Sequence, residues 1–169
     1  MGSFISKSIT LQEIDLTVRE ATPADLDIIL HHRRSMFCDM GHTDAAVLEA
    51  MLSTSRPFFA ERLADGRYRG WLVENSSHQV IAGGGIVVFD YHSSPTDLSA
   101  RRPVIVNMYT EAAYRRKGIA RTLMEMMIEW CRQEGFRTIL LHASDDGRPL
   151  YEKLGFKPTN EMRLKLFSR

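Results

Sequence analysis

Apolar residues recur at two different spacings along this chain, and the change from one spacing to the other predicts where strands and helices lie. Alternation of apolar and polar residues predicts strands at residues 16–19, 68–74, 80–89 and 162–167. Intervals of three and four predict helices at residues 23–40, 44–53, 58–63, 119–134 and 149–154. Two short, mainly apolar runs have no face that suits solvent exposure and predict buried strands at residues 104–109 and 138–142.

Three local features modify this pattern. Residues 1–13 show no firm periodicity, so we predict a loose N-terminal arm followed by a single domain over residues 14–169. Pro57 lacks an amide donor, which predicts a break between the helices at 44–53 and 58–63. Three consecutive glycines at residues 83–85 lie inside a predicted strand and indicate a β-bulge or the close approach of another group to the backbone.

The order of these elements predicts an α/β fold built on a mixed sheet. The strands at 68–74 and 80–89 are joined by a short polar turn and should form an antiparallel hairpin. A helix separates the strands at 104–109 and 138–142, so these two strands should be parallel with a right-handed crossover. We therefore expect a sheet that is antiparallel in its first half, has a parallel pair at its centre and is flanked by helices.

Composition narrows the function without identifying it. The chain has 169 residues, of which 44% are hydrophobic and 25% are charged, as in ordinary globular domains. A net charge of +1 argues against a nucleic-acid partner, and the absence of a long apolar run argues against a membrane span. The two cysteines, Cys38 and Cys131, fit neither a disulfide framework nor a metal site, which favours a reducing, cytoplasmic location.

The most informative stretch has four cations around one glycine, at the point where a predicted strand gives way to a helix. It reads Arg115-Arg116-Lys117-Gly118-Ile119-Ala120-Arg121. Cations are unfavourable at a helix N-terminus, because the helix dipole is already positive there. Either this is a solvated basic turn, or its backbone N–H groups and cations bind a phosphate that the glycine lets approach. Its spacing matches neither a P-loop nor a dinucleotide fingerprint.

The stretch also carries a resemblance to a known family. Arg115-x-x-Gly118-x-Ala120 resembles the Q/R-x-x-G-x-G/A pyrophosphate loop of the GNAT superfamily of acyl-CoA N-acyltransferases. Residues 150–156, Leu-Tyr-Glu-Lys-Leu-Gly-Phe, follow where that family has an L-Y-x-x-x-G-F segment. Residues 18–26 are similar to the family's first strand and helix start, so the resemblance covers about residues 16–167.

The resemblance implies a sheet that splays apart at its parallel pair and binds acetyl-CoA in the gap, with roles for particular residues. Backbone groups of Met108, Tyr109 and Thr110 would pair with the pantetheine arm, and an N–H near Tyr109 would polarise the acyl carbonyl. Ser144 stands where the family often has an asparagine that contacts CoA. Tyr151 would protonate the departing thiolate. The pyrophosphate would be held by backbone N–H groups of Arg116, Lys117, Gly118, Ile119, Ala120 and Arg121, with the side chains of Arg115, Arg116 and Arg121.

The implied activity is transfer of an acetyl group from acetyl-CoA to a primary amine of a small molecule or peptide, directly within a ternary complex. Two alternatives stay open at this point: a non-catalytic acyl-CoA-binding or sensing module, and a nucleotide-binding regulator that uses residues 115–121. The acceptor amine and the oligomeric state, monomer or homodimer, do not follow from the residues. Nor does the general base, for which the candidates are Glu74, Asp90, His92, Glu111 and His142.

Overall fold

Six strands form one sheet in chain order, with helices on both faces. The computed structural model describes residues 6–12 and 14–166. The strands are β1 (Lys7–Leu11), β2 (Ile14–Glu20), β3 (Tyr68–Glu74), β4 (Val80–Asp90), β5 (Arg101–Thr110) and β6 (Leu140–Leu141). The helices are α1 (Leu26–Asp39), α2 (Ala45–Asp65), α3 (Ile119–Gln133) and α4 (Arg148–Lys153). All neighbouring strands are antiparallel except β5 and β6, which are parallel, so the predicted mixed α/β fold is confirmed.

The sheet separates two hydrophobic cores. On one face α3 buries Leu123, Met124 and Met127 completely, on the stripe that its helical spacing predicts. On the other face α1 and α2 cover the sheet through Ile29 and Phe59. The molecule is thus a three-layer arrangement in which α1 and α3 approach the same sheet from opposite sides. None of the helices in the part of the chain described is long and apolar enough to cross a membrane.

The prediction of a loose arm is wrong for residues 7–11, which form β1 and pair antiparallel with β2. The sequence KSITL alternates, and Ile9 and Leu11 are half-buried against the core on the α3 face. Two interactions order this segment. The side chains of Ile9 and Leu11 are partly buried, and the backbone of β1 forms hydrogen bonds with the edge of β2 that would otherwise be unpaired. The rest of the predicted arm, residues 1–5 and 13, lies outside the described residues.

The predicted helix break at Pro57 is also wrong, because α2 continues through it from Ala45 to Asp65. A proline inside a helix forfeits one backbone hydrogen bond and normally kinks or breaks it. Here Leu48 before the proline and Phe59 after it are both buried, so tertiary packing on each side outweighs the lost bond. The helix ends before Gly66, whose φ of 77° is left-handed, as is common for a glycine after the last helical turn.

The last predicted strand, residues 162–167, is wrong over 162–166, which have no strand pairing. The apolar alternation is present, yet Met162 is 95% exposed and Leu164 and Leu166 are also exposed. The reason lies in β6, which has two residues instead of the five predicted at 138–142. So short a strand offers a neighbouring strand few backbone groups for hydrogen bonding. The parallel pair therefore lies at one edge of the described sheet and not at its centre.

The glycine run at residues 83–85 marks a β-bulge, as predicted. Gly85 lies opposite Val106 and Gly83 opposite Tyr109, so Gly84 faces two residues of β5, Asn107 and Met108. Asn107 has a left-handed φ of 56°. The neighbouring side chains also come close to this backbone, since a methyl group added at Gly84 would collide with the Met108 sulfur. Both predicted reasons for the glycines are therefore present.

Candidate active site

The strands β5 and β6 part before β5 ends, which leaves one side of β5 open. They pair only at Val104 with Leu140 and at Ile105 with Leu141, whereas β5 continues to Thr110. Beyond the bulge, Tyr109 and Thr110 pair with β4 on one side alone. The free side of this stretch offers backbone donors and acceptors, and the carboxyl end of a parallel strand is where α/β sheets bind ligands. Met108, Tyr109 and Thr110 therefore lie along one side of a gap in the sheet.

The start of α3 lies just beyond this gap and is built around a left-handed glycine. Gly118 precedes the helix with φ 88°, and nothing lies within 4 Å of the position that its side chain would occupy. Arg116 is also left-handed, with φ 64°. The first N–H groups of a helix have no acceptor within it, so those of Ile119, Ala120 and Arg121 point out of the helix start. Ile119 itself is buried in the core on the α3 face of the sheet.

The four cations of the cluster have different partners. The Arg115 guanidinium lies 2.5 Å from an Asp39 oxygen on α1 and donates to the Thr110 carbonyl at 2.9 Å. Arg121 pairs with Glu125 one turn along α3. Among the described residues no carboxylate pairs with Arg116 or Lys117, and the Lys117 amine lies 5.5 Å from the centre of the Tyr114 ring. Arg116 and Lys117 are thus the cations of the cluster whose charge is not already neutralised.

Tyr151 presents a free hydroxyl beside the carboxyl end of β6. Its ring packs on Phe156 and against Gly147, where an added methyl group would approach the ring to 2.8 Å. The hydroxyl makes no hydrogen bond to any residue within 6–12 or 14–166. Burial raises the pKa of Tyr151 above its usual range, so the phenol stays protonated at neutral pH. Tyr151 also borders a groove of about 520 Å³ that His142 and Ala143 line.

Ser144 has a structural task in addition to its predicted contact. Its hydroxyl oxygen accepts the Gly147 N–H at 3.2 Å, and its carbonyl accepts the Arg148 N–H at 2.9 Å. These bonds shape the turn that leads into α4. Ser144 therefore positions the helix that carries Tyr151, whether or not it also meets a ligand.

The five candidate bases do not lie together. Glu74 is 2.5 Å from Arg19. Asp90 is the last residue of β4 and His92 follows it, at the end of β4 that pairs with the start of β5. His142 follows β6 and lines the Tyr151 groove. Glu111 directly follows β5, next to Tyr109. Of the five, Glu111 is the one whose carboxylate reaches the β5 end of the gap.

The Glu111 carboxylate joins β5 to α1. It accepts the Tyr109 hydroxyl at 3.2 Å and lies 3.4 Å from His31 Nε2. The next residue of α1, His32, is 1% exposed, its ring centre lies 5.2 Å from that of Tyr109, and its Nε2 has no hydrogen-bond partner among the described residues. The end of β5 is thus enclosed on its α1 face by two histidines and a carboxylate.

Sequence reasoning missed three polar residues on this face: His32, Arg33 and Asn107. Asn107 is buried, and its side-chain carbonyl accepts from Arg33 Nη1 at 3.0 Å. A signal was available, since Asn107 is the one amide in an otherwise apolar strand. The bulge that turns it towards α1 depends on pairing with β4, which the local pattern of residues does not contain.

His32 should make the protein less stable in mild acid. Burial, with a smaller contribution from His31, lowers the pKa of His32 from 6.5 to about 4. Between these pH values His32 binds a proton in the unfolded chain but not in the folded protein. The free energy of unfolding therefore decreases as pH falls from about 6.5 to about 4. The loss amounts to about 3 kcal/mol at most. Denaturant unfolding across this pH range measures it.

The neighbouring histidine supplies a matched control for this experiment. His31→Gln should keep the pH dependence, because His31 is half exposed, whereas His32→Gln should flatten it. Equal slopes for the wild type and His32→Gln would show that His32 is not the group responsible.

Comparison with known proteins supports what this geometry indicates. Residues 34–156 match the acetyltransferase (GNAT) family, which is more than half of the chain. N-acetyltransferase 8 and N-acetyltransferase 8B of Homo sapiens are each 26% identical over 102 residues. The aligned part is 59% of this chain and 43% of each human protein, so the chain spans less than half the length of the curated relatives it matches.

Two solved structures resemble the whole fold closely. A GCN5-related N-acetyltransferase from Ralstonia eutropha JMP134 is 33% identical, with a TM-score of 0.84 over 89% of this chain and 98% of its own. A predicted acetyltransferase with acetyl-CoA from Clostridium acetobutylicum is 29% identical, with a TM-score of 0.81 over 89% and 96%. With the gap beside β5, the open glycine at the start of α3 and this family match, the chain belongs to the acetyltransferase (GNAT) family, a family of acyltransferases.

Proposed function

We propose that this protein is an N-acetyltransferase that moves the acetyl group of acetyl-CoA to a primary amine by direct transfer. The observation that carries the proposal is the open, left-handed Gly118 at the start of α3, immediately beyond the point where β5 and β6 part. A helix N-terminus with a free approach to its N–H groups is a site for a diphosphate. The gap that leads away from it along β5 suits an extended pantetheine arm. The Clostridium acetobutylicum relative with acetyl-CoA supports the choice of donor.

Different residues at the gap would bind different parts of acetyl-CoA. The N–H groups from Arg116 to Arg121 would hold the diphosphate, with positive charge from Arg116 and Lys117. Arg115 pairs with Asp39, so its first role is to fasten this loop to α1. Backbone groups of Met108, Tyr109 and Thr110 would pair with the pantetheine amides as an additional strand does.

The chemistry needs one proton removed and one supplied. The neutral amine attacks the thioester carbonyl, the C–S bond breaks, and the electron pair leaves on sulfur. An N–H near Tyr109 would stabilise the charge on the carbonyl oxygen. The Tyr151 hydroxyl, which is protonated and makes no hydrogen bond to the described residues, would give its proton to the sulfur. Glu111 is the proposed base, which accepts the ammonium proton directly or through water. We choose it from the five candidate bases that the sequence leaves open.

The proposal is tested by an assay for released CoA thiol with acetyl-CoA and a panel of amino acids, polyamines, aminoglycosides and peptide N-termini. Amine-dependent release of thiol is the expected result. If calorimetry detects acetyl-CoA binding and no amine in a broad panel is acetylated, the alternative of a non-catalytic acyl-CoA sensor takes its place. A cytoplasmic location and a monomeric or homodimeric state remain predictions, the former supported by the two free cysteines.

Removing the charge of Arg116 should weaken CoA binding modestly and in a salt-dependent way. Arg116 is exposed and pairs with no carboxylate in the described part of the chain, and exposed charge contacts contribute about 1 kcal/mol or less. We expect Arg116→Gln to raise the dissociation constant of CoA a few-fold at low salt and less at high salt, where the charges are screened.

Titration calorimetry at two ionic strengths, with CoA and dephospho-CoA, measures the effect. Arg137→Gln is the matched control, because Arg137 is also exposed and has no ion pair with a described residue. Removal of at least one of Arg115, Arg116 and Arg121 should weaken CoA more than dephospho-CoA, because CoA carries an additional phosphate. An affinity that is the same at both salt concentrations would contradict a phosphate contact.

A further inference from the structure

Arg33 on α1 is a cation that pairs with no carboxylate among residues 6–12 and 14–166. The other arginines that have no carboxylate partner in the described part of the chain are exposed, as solvated cations should be. Arg33 is half-buried, and burial lowers its pKa. A desolvated charge with no opposite charge destabilises a protein, so a purely structural role would be served better by an apolar side chain.

The contacts of Arg33 hold its guanidinium in place and leave donors unused. Nε donates to the Ser55 hydroxyl at 3.1 Å, with the Met51 sulfur at 3.2 Å, and Nη1 donates to Asn107 at 3.0 Å. The group also lies 5.0 Å from the centre of the Phe37 ring. An arginine has five N–H donors, so three have no acceptor among the described residues. All the partners of Arg33 are neutral, which leaves its charge available.

This charge faces a groove between α1 and α2. The groove has a volume of about 380 Å³, and Arg33 and Ser55 line it together with Val47, Ala50, Met51 and Thr54. None of these side chains is an acid. Arg33 thus connects an accessible groove to Asn107, the bulged residue of β5.

The bulge brings the same charge close to the proposed reaction centre. Asn107 is two residues before Tyr109, which corresponds to about 7 Å along a strand. The Tyr109 ring faces α1, where it meets His32 next to Arg33. An anionic group bound at Arg33 would therefore lie on the same face of β5 as an amine placed near Tyr109 and Glu111.

We propose that Arg33 is the anchor for a carboxylate on the acceptor, so that the acceptors are amines that also carry a carboxylate, such as amino acids or short peptides. The inference rests on the proposed acetyltransferase activity. An arginine fork binds a carboxylate through two parallel hydrogen bonds, and the unused donors of Arg33 suit this geometry. The neutral side chains of Ser55 and Asn107 hold the Arg33 guanidinium in place without neutralising its charge.

The test uses pairs of acceptors that differ only in the carboxylate: β-alanine and its amide, L-phenylalanine and its amide, glycylglycine and its amide. The wild type should favour the carboxylate of each active pair. Arg33→Met should lower kcat/KM for the carboxylates by roughly 10- to 150-fold, the effect of losing hydrogen bonds to a charged group. The same change should alter kcat/KM for the amides much less.

Arg34→Met on the same helix is the matched control, because Arg34 pairs with the exposed Glu49 and should not affect the preference. Arg33→Lys keeps the charge and should recover part of the activity with carboxylates. Amides that are as good as carboxylates in the wild type, with turnover intact, would overturn the anchor and leave the acetyltransferase proposal standing. Thermal unfolding of each variant excludes a general loss of fold.

A second measurement does not depend on turnover. The Nε–H NMR signal of Arg33, assigned by its loss in Arg33→Lys, is followed while N-acetylglycine or N-acetylglycinamide is added. A shift with the carboxylate alone supports the anchor even if no amine in the assay is acetylated, in which case the acetyltransferase proposal is the one that fails. The absence of any shift with N-acetylglycine overturns the anchor.

Discussion

Replacing Tyr151 by phenylalanine is expected to lower kcat by ~10²–10⁴-fold, the usual contribution of a general acid. The thiolate that leaves acetyl-CoA is tolerable without help, because thiols ionise near pH ~8.5, so the reaction should slow without stopping. The loss should appear in kcat, since the interaction with sulfur forms only as the C–S bond breaks. Affinity for acetyl-CoA should change little. Steady-state kinetics with the true acceptor, alongside calorimetry with acetyl-CoA, separates the two effects.

The structure makes Tyr151→Phe an unusually clean substitution. The hydroxyl bonds to none of the described residues, so its removal leaves no partner unsatisfied. The phenylalanine ring keeps the packing on Phe156 and Gly147. Tyr91→Phe provides the control, because Tyr91 is exposed and follows β4 at the far end of the sheet. Unchanged kcat in Tyr151→Phe would make the residue structural, and an equal loss of affinity and rate would make it a binding residue.

Replacing Gly118 by valine is expected to remove most of the affinity for acetyl-CoA, by roughly 100-fold or more. A branched side chain would occupy the open space in front of the first N–H groups of α3 and keep a diphosphate away. Each charge-assisted hydrogen bond lost contributes about 1.5–3 kcal/mol, so losing two is enough for this effect. The substitution also strains the backbone by about 1–2 kcal/mol, because φ at Gly118 is 88°.

The other end of α3 separates strain from binding. Gly135 follows the helix with φ 77°, and nothing lies within 4 Å of its missing side chain. Gly135→Val should therefore lower stability about as much as Gly118→Val, while acetyl-CoA binds it normally. Calorimetry and thermal unfolding on both variants provide the comparison. Wild-type affinity in a folded Gly118→Val protein would refute the diphosphate site.

The parts of this fold that could be predicted depend on local patterns. The stripe of apolar residues defines α3, and the helix between two buried strands requires the parallel crossover. Gly118 and Gly135 lie on either side of α3 in the sequence, and both have the left-handed φ that only glycine adopts readily. The loop after β5 could be assigned because its glycine and cations lie within a few residues of one another.

The parts that could not be predicted depend on contacts between distant segments. Pro57 indicates a helix end, yet burial of Leu48 and Phe59 carries α2 through it. The alternation at residues 162–166 is typical of a strand, but the two-residue β6 provides no edge for it. The residues alone assign no role to Arg33, whose surroundings become known only once α2 and β5 are placed around it. The proposed acceptor side of the site is assembled from such contacts, so the sequence alone predicts the proposed acetyl-CoA side better.

The bulge opposite Gly84 changes the phase of β5. In a regular strand, faces alternate strictly, so Asn107 and Tyr109 would share the face of Ile105 and point at α3. The single extra residue reverses this alternation, so each residue after the bulge faces the opposite side of the sheet from the one expected. Val106 and Asn107 then both face α1, Met108 faces α3, and Tyr109 meets His32. The same strand thus packs in the core before the bulge and borders the proposed reaction site after it, and its pairing with β4 is interrupted only at the bulge.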